Sequence, residues 1–215
     1  MNAILAATTK AETQQLLDGI ASVGFAVVEN FLSEETITLL ANEARQLQQA
    51  GAMRPAGIGK NNSAQLDKNI RGDFIYWLDE NDTSATQQVY LQHMESLRVS
   101  LNRSFYLGLS EMENHYALYP AGTRYGKHLD QFHNSKQRQI SCVLYLNHDW
   151  QPQHGGQLRL YLDEQSGQPY SDVEPIGGRL VMFQSGRFWH EVLPAARERI
   201  SIAGWYKTRS DRIIA

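Results

Sequence analysis

The hydrophobic positions of this chain follow two periods. Up to about residue 105 they recur every three or four residues, and beyond about residue 115 they fall into short runs with a period of two. The first regime predicts helices. Residues 33–48 open with Ser33 as a candidate N-cap. Glu34 and Glu35 sit in the first turn, where the helix terminus favours anions. Ile37, Leu40, Ala41, Ala44 and Leu47 then hold helical spacing, with Gly51 beyond the end. A shorter helix is predicted over 10–21 with Leu16, Leu17 and Ile20 inward, and a third over 84–104 with Tyr90, Met94, Leu97 and Leu101 on one stripe. Between the first two, GFAVVENFL (24–32) reads as a strand. Stripes of this kind are scaffold: they brace one face of a sheet.

Residues 51–73 break the pattern. Gly, Asn and Lys dominate and no apolar period exists, which predicts a long loop, the sort of segment that covers a site. The RGD at 71–73 has no secretion signal to support an adhesion role. From about 115 the segments HYALYP, QISCVLYLN, GQLRLYL, GRLVMF and RISIAGWYK are β-rich and divided by turn residues. Five such segments in succession predict a sandwich, barrel or jelly roll. The expectation is one domain, mostly β with supporting helices: 1–105 as helical support with its loop, and 106–207 as the β core.

Composition adds exclusions. With 215 residues and 42% hydrophobic content, the chain can bury one real core. The net charge of −3, with no basic run, argues against nucleic acid as a partner. The single cysteine, Cys142, cannot form an intrachain disulfide and fits a reducing compartment. The start MNAILAATTKAETQQ does not read as a signal peptide, and no apolar stretch reaches the length of a membrane span. These features predict a soluble cytoplasmic protein that engages no membrane; a monomer is the expectation.

Four residues carry the candidate chemistry: His128 and Asp130 two apart in YGKHLDQ, His190 in FWHEV, and Arg199 in RERISIAGWYK. Two imidazoles and one carboxylate form the ligand set of a non-haem Fe(II) centre with open coordination positions. An HxD pair alone is common by chance. Strand parity strengthens it. Residues two apart on a strand share a face, so His128 and Asp130 can aim together into a barrel. The same parity puts Ser141, Val143 and Tyr145 on one face, and Arg199, Ser201, Ala203 and Trp205 on one face opposite Ile200 and Ile202. A guanidinium in so apolar a segment needs an anion, either a protein carboxylate or a bound substrate carboxylate. Zinc is the chemical competitor for the metal. Of the remaining histidines, His93 reads as a helix-surface residue and His115, His133, His148 and His154 as structural or solvated, with Cys142 as core.

Several motifs in register carry a resemblance: IRGD (70–73), YP and YGKHLD (119–130), CVLYLNHDW (142–150), HGGQLRLY (154–161), and HEV followed by Arg199 and Trp205. Over roughly residues 70–207 the chain resembles the Fe(II)/2-oxoglutarate-dependent prolyl 4-hydroxylases of the hypoxia-sensing type, above all their bacterial relatives that act on elongation factor Tu. The resemblance implies a double-stranded β-helix, a distorted jelly roll, packed against N-terminal helices. It implies Fe(II) on His128, Asp130 and His190, with 2-oxoglutarate and O2 as co-substrates and ascorbate as a candidate accessory. Arg199 and Tyr145 would bind the distal carboxylate of 2-oxoglutarate, while Tyr119, Ser141 and Trp205 would line its pocket. Arg138, Arg71 and Asp73, with the 51–73 loop, would face a protein substrate bearing a target proline, with elongation factor Tu the candidate and oxygen sensing a candidate role. Two rivals stay open. One is a hydroxylase of a small molecule, nucleic acid or another protein residue; the other is a non-catalytic jelly-roll binding module.

Overall fold

The computed structural model describes residues 10–57, 67, 70–79, 82–131, 135–163 and 169–209. The described residues of the N-terminal half form three helices with short strands between them: α1 (Lys10–Ser22), α2 (Glu34–Gln49) and α3 (Ala85–Phe105). Their starts are set locally. The Ser33 and Ser84 hydroxyls accept from the backbone N–H groups of Thr36 and Gln87, at 3.2 and 3.1 Å, which satisfies donors that a helix start would otherwise leave bare.

Eleven strands are formed by the described residues: β1 (Phe25–Val28), β2 (Arg54–Pro55), β3 (Phe74–Trp77), β4 (Leu109–Tyr119), β5 (Tyr125–His128), β6 (Arg138–Tyr145), β7 (Leu158–Tyr161), β8 (Tyr170–Val173), β9 (Leu180–Gln184), β10 (His190–Val192) and β11 (Arg199–Thr208). They build a seven-stranded sheet in the order β1-β9-β6-β11-β4-β3-β2 and a four-stranded sheet in the order β5-β10-β7-β8. Every pairing between named strands is antiparallel.

Alternation along the strands of the large sheet divides the interior into two cores. Tyr116, Leu118, Ile140, Cys142, Leu144, Leu180, Met182, Ile200, Ile202 and Tyr206 pack with the three helices. Their odd-numbered neighbours Ala117, Tyr119, Tyr145, Val181 and Phe183 meet Leu158, Leu160, Val173 and Val192 of the small sheet. The predicted parity of β6 and β11 is therefore the observed one, and Cys142 is a core residue. The helices cover one face of the large sheet, the small sheet covers the other, and a cavity opens between the sheets.

Three expectations are corrected. The N-terminal half is more than helical support: β1 extends the large sheet by pairing with β9, and β3 by pairing with β4. The 51–73 segment is not loop throughout, because Arg54 and Pro55 pair with Ile75 and Phe74. Most of the interval between them, with its proposed covering role, lies outside the described residues, as does His133. His93 is buried rather than on a helix surface, with its ring edge-on to Phe31 at 5.8 Å. No helix among the described residues is long and apolar enough to cross a membrane.

Candidate metal centre and co-substrate cavity

His128 closes β5 and His190 opens β10, and the two are direct cross-strand partners. Asp130 is not on the strand. The chain leaves β5 after His128 and bends, so the turn rather than strand parity brings the carboxylate to the imidazoles. The bend is pinned by the Gln131 N–H to the Ser185 carbonyl (3.3 Å) and the Gln131 side-chain amide to the Arg138 carbonyl (2.9 Å). Asp130 Oδ1 lies 3.5 Å from His128 Nε2, and Asp130 Oδ2 lies 3.5 Å from His190 Nε2. One donor atom from each residue falls within 4.8 Å of the others, close enough to share an ion.

The backbone sets the tautomers. His128 Nδ1 donates to the Gly126 carbonyl at 2.8 Å and His190 Nδ1 to the Phe188 carbonyl at 3.0 Å, which leaves both Nε2 lone pairs facing Asp130. Burial, reinforced by the charge of His128, lowers the His190 pKa to about 4, so this imidazole is neutral at physiological pH, the form that ligates a metal. Burial alone would raise the pKa of Asp130. The two imidazoles and the Ser141 hydroxyl outweigh that effect and hold it well below the usual carboxylate range. The ring of Tyr125 stacks on His128 with centroids 3.7 Å apart, and Arg71 caps the other face of Tyr125 at 4.4 Å.

The three donors line a cavity of about 360 Å³, a volume typical of small-molecule sites, and Arg199 lines the same cavity. Arg199 is 2% exposed and has no acidic partner among the described residues. Its Nε donates to the Gly156 carbonyl (3.0 Å) and its Nη1 approaches the Ser201 hydroxyl (3.4 Å). The rings of Tyr119 and Tyr145 flank it at 5.1 and 5.0 Å. The buried Tyr145 hydroxyl makes no hydrogen bond of good geometry among the described residues, and burial raises its pKa against the opposing influence of Arg199, so it remains a proton donor. A buried cation without an internal acid, beside a proton-donating hydroxyl, is a site built for a carboxylate. The first of the two alternatives for the Arg199 anion, a protein carboxylate, is not what the fold supplies.

The other predicted positions divide. Tyr119, Arg138, Arg71 and Trp205 all line the cavity. Ser141 does not: its hydroxyl donates to Asp130 Oδ2 at 2.7 Å from behind the carboxylate. Asp73 is 2% exposed and bound by both ends of the Arg71 guanidinium, at 2.8 and 3.0 Å, which removes it from any substrate-facing surface. The sequence reading missed His115, Trp77 and Tyr125. His115 packs against both Trp77 and Trp205, with ring centroids 4.8 and 5.4 Å away, and Arg138 sits 3.5 Å over Trp205. Parity was the available signal, since His115, Ala117 and Tyr119 alternate on one face of β4.

Two His, one Asp and a buried Arg with no acid beside it among the described residues, all around one cavity, define a non-haem iron site with room for a carboxylate co-substrate. Residues 114–207 match the model of the 2OG-Fe(II) oxygenase superfamily. The chain is 33% identical to the hypoxia-inducible factor prolyl hydroxylase of Caenorhabditis elegans over 93% of its own length, which is 28% of the length of that protein. It superposes on a crystal structure of a Pseudomonas putida prolyl-4-hydroxylase with a TM-score of 0.82 at 41% identity, covering 92% of this chain and 100% of that one. It also matches a prolyl hydroxylase from Trichoplax adhaerens, solved with a hypoxia-inducible factor peptide, with a TM-score of 0.81 at 28% identity over 91% and 88% of the two chains. The chain belongs to the prolyl hydroxylase family of 2OG-Fe(II) oxygenases. Fe(II), 2-oxoglutarate and O2 are therefore its metal and co-substrates, which decides between iron and zinc and disposes of the non-catalytic module.

Proposed function

We propose that the protein hydroxylates a prolyl residue in a protein substrate, using O2 and 2-oxoglutarate and releasing succinate and CO2. The observation that carries this reading is the shared cavity, with three metal donors on its walls and a guanidinium that meets no acid among the described residues. His128, Asp130 and His190 would hold Fe(II), which with 2-oxoglutarate supplies the oxidising chemistry when bound. The chain supplies positioning and exclusion of water. Arg199 would grip the distal carboxylate through a charge-assisted fork and Tyr145 would donate to the same group. Tyr119 lies along that carboxylate path, and its burial keeps its own hydroxyl protonated.

The mouth supports a prolyl target. Trp77 is 48% exposed and clusters with His115 and Trp205, its ring centroid 4.8 and 6.3 Å from theirs. Flat aromatic walls accept the rigid, weakly polar pyrrolidine ring, as they do in grooves that bind proline-rich segments. Arg138, over Trp205, and Arg71, over Tyr125, are the cations that would orient the substrate backbone. Similarity to the P. putida and T. adhaerens enzymes supports the same target, and elongation factor Tu is the candidate substrate. Oxygen sensing, an ascorbate requirement, a cytoplasmic setting and a monomeric state are parts of this proposal that rest on the resemblance and on composition.

The test is succinate formation with purified protein, Fe(II) and 2-oxoglutarate, with and without a prolyl peptide of elongation factor Tu. A mass gain of about 16 Da on the proline, one oxygen atom, is expected. Turnover that no prolyl peptide stimulates, with a small molecule stimulating instead, would give the reading to the rival hydroxylase.

A further inference from the structure

Behind the metal centre lies a chain of hydroxyls that the reaction itself does not call for. Ser141, on β6, donates to Asp130 Oδ2 at 2.7 Å, and Ser185, immediately after β9, lies 2.8 Å from the Ser141 oxygen. Ser141 is 1% exposed and Ser185 is fully buried. The direction of the chain follows from counting protons. An ionised carboxylate only accepts, so the single proton of Ser141 goes to Asp130. The Ser141 oxygen must then be the acceptor in its contact with Ser185, and Ser185 donates. In a dry interior each bond polarises the next, so the pair presents a stronger donor to the carboxylate than one hydroxyl would.

Ser185 also holds the same bend through its backbone. Its carbonyl accepts from Gln131 N–H at 3.3 Å and its own N–H donates to the Gln139 carbonyl at 3.0 Å. The residue after Asp130 and the side chain of Asp130 are thus tied to one position on the large sheet. The two histidines, by contrast, belong to the small sheet. Asp130 is the one ligand off both sheets, so its geometry depends most on outside contacts.

We propose that Ser185 and Ser141 form a relay that holds Asp130 as a one-oxygen metal ligand. Ser141 engages Oδ2 and leaves Oδ1 to the ion. A carboxylate that bound through both oxygens would occupy a further coordination position, one that the co-substrates need. Ser141 and Ser185 are positioning residues: they act through Asp130 and touch neither substrate nor metal. The inference rests on the ligand assignment made above and assigns Ser141 a place different from the co-substrate pocket wall.

The test uses the full chain, stripped of metal and titrated with Co(II), whose visible absorption reports coordination number. Ser141→Ala is expected to weaken Co(II) binding about tenfold or more, the range usual for loss of an outer partner, and to alter the absorption bands. Ser185→Ala should shift the same bands with a smaller loss, about threefold. The double variant should be no worse than Ser141→Ala, because a series relay is already broken at Ser141. Ser141→Thr, which keeps the hydroxyl, should restore both affinity and spectrum. Melting of the metal-free proteins, followed in parallel, separates these effects from loss of fold. Should Ser141→Ala fail to fold, Ser185→Ala decides alone. Unchanged bands in folded Ser185→Ala, or losses that add in the double variant, overturn the relay. Wild-type protein that binds no Co(II) overturns the ligand assignment and the relay together.

Discussion

His128 and His190 face each other across β5 and β10 as partners in one antiparallel ladder, so the two imidazoles are placed by backbone hydrogen bonding before any metal arrives. Replacing either ring, or Asp130, by alanine is expected to abolish detectable turnover and weaken Fe(II) binding by more than about a hundredfold, beyond what loss of an outer partner costs. The metal-free fold should survive, because none of the three belongs to the apolar cores. Metal titration by calorimetry, with circular dichroism as the control, checks this. Full activity in Asp130→Ala would refute the assignment.

Arg199 and Tyr145 should separate by readout. Arg199→Lys keeps the charge and loses the planar fork, and a hydrogen bond to a charged group is worth about 1.5–3 kcal/mol, so KM for 2-oxoglutarate should rise by about ten- to a hundredfold. Tyr145→Phe removes a hydroxyl whose polar neighbour among the described residues is the Arg199 guanidinium. Its stability should be unchanged while KM for 2-oxoglutarate rises about tenfold. A destabilised Tyr145→Phe with normal KM would show that the hydroxyl serves the fold.

Gly156 is a lever on Arg199 from outside the cavity. Its φ is +72°, and a Cβ there would lie 2.9 Å from the Ala195 Cβ and 3.4 Å from the Arg199 Cδ, while its carbonyl accepts from Arg199 Nε. Gly156→Ala should cost about 1–2 kcal/mol through the left-handed backbone alone. It should also raise KM for 2-oxoglutarate, because a backbone that gives way to Ala195 and Trp150 carries with it the carbonyl that holds Arg199 Nε. Denaturant midpoints and steady-state kinetics measure the two effects, and a normal KM in a destabilised variant would break the link to Arg199.

His115 should make stability depend on pH. Burial, with the charge of Arg71, lowers its pKa to about 4, against about 6.5 in the unfolded chain. Between those values the unfolded state binds the extra proton, so stability declines as pH falls through that window, by on the order of 2 kcal/mol at pH 5. His115→Phe keeps a flat ring against the two tryptophans and removes the proton uptake. Urea midpoints at pH 7.5 and 5 should therefore fall less in the variant than in the wild type, and parallel declines would contradict a neutral buried imidazole.

What the chain disclosed of itself follows the strength of its local signals. A long amphipathic stripe with a serine cap located α2, and a stripe alone located α3, each to within about a residue, and the apolar alternation of β6 and β11 sorted their faces correctly. The weak spots are short or polar strands. HEV (190–192), YSDV (170–173) and YGKH (125–128) have too few apolar residues to show a period, and their stability comes from pairing with distant segments. Asp130 shows the limit of parity: its spacing from His128 was read as one strand face, and a bend achieves the same convergence. His115 was passed over because a lone histidine in an apolar strand looks like core, although its alternation with Tyr119 pointed into the cavity. The Ser141–Ser185 contact joins residues 44 apart and leaves no local trace.

The division of the interior by the large sheet gives Arg199 a second duty. Along β11, Arg199 and Ser201 face the cavity, while Ile200 and Ile202 face the helices. Sliding this strand by one residue against β4 and β6 would exchange the two sets and press the guanidinium into hydrocarbon, a misalignment costing several kcal/mol. The cation that receives the co-substrate thus also proofreads the assembly of the central strand. A neutral replacement at 199 would forfeit that safeguard along with catalysis, leaving a sheet freer to settle out of step.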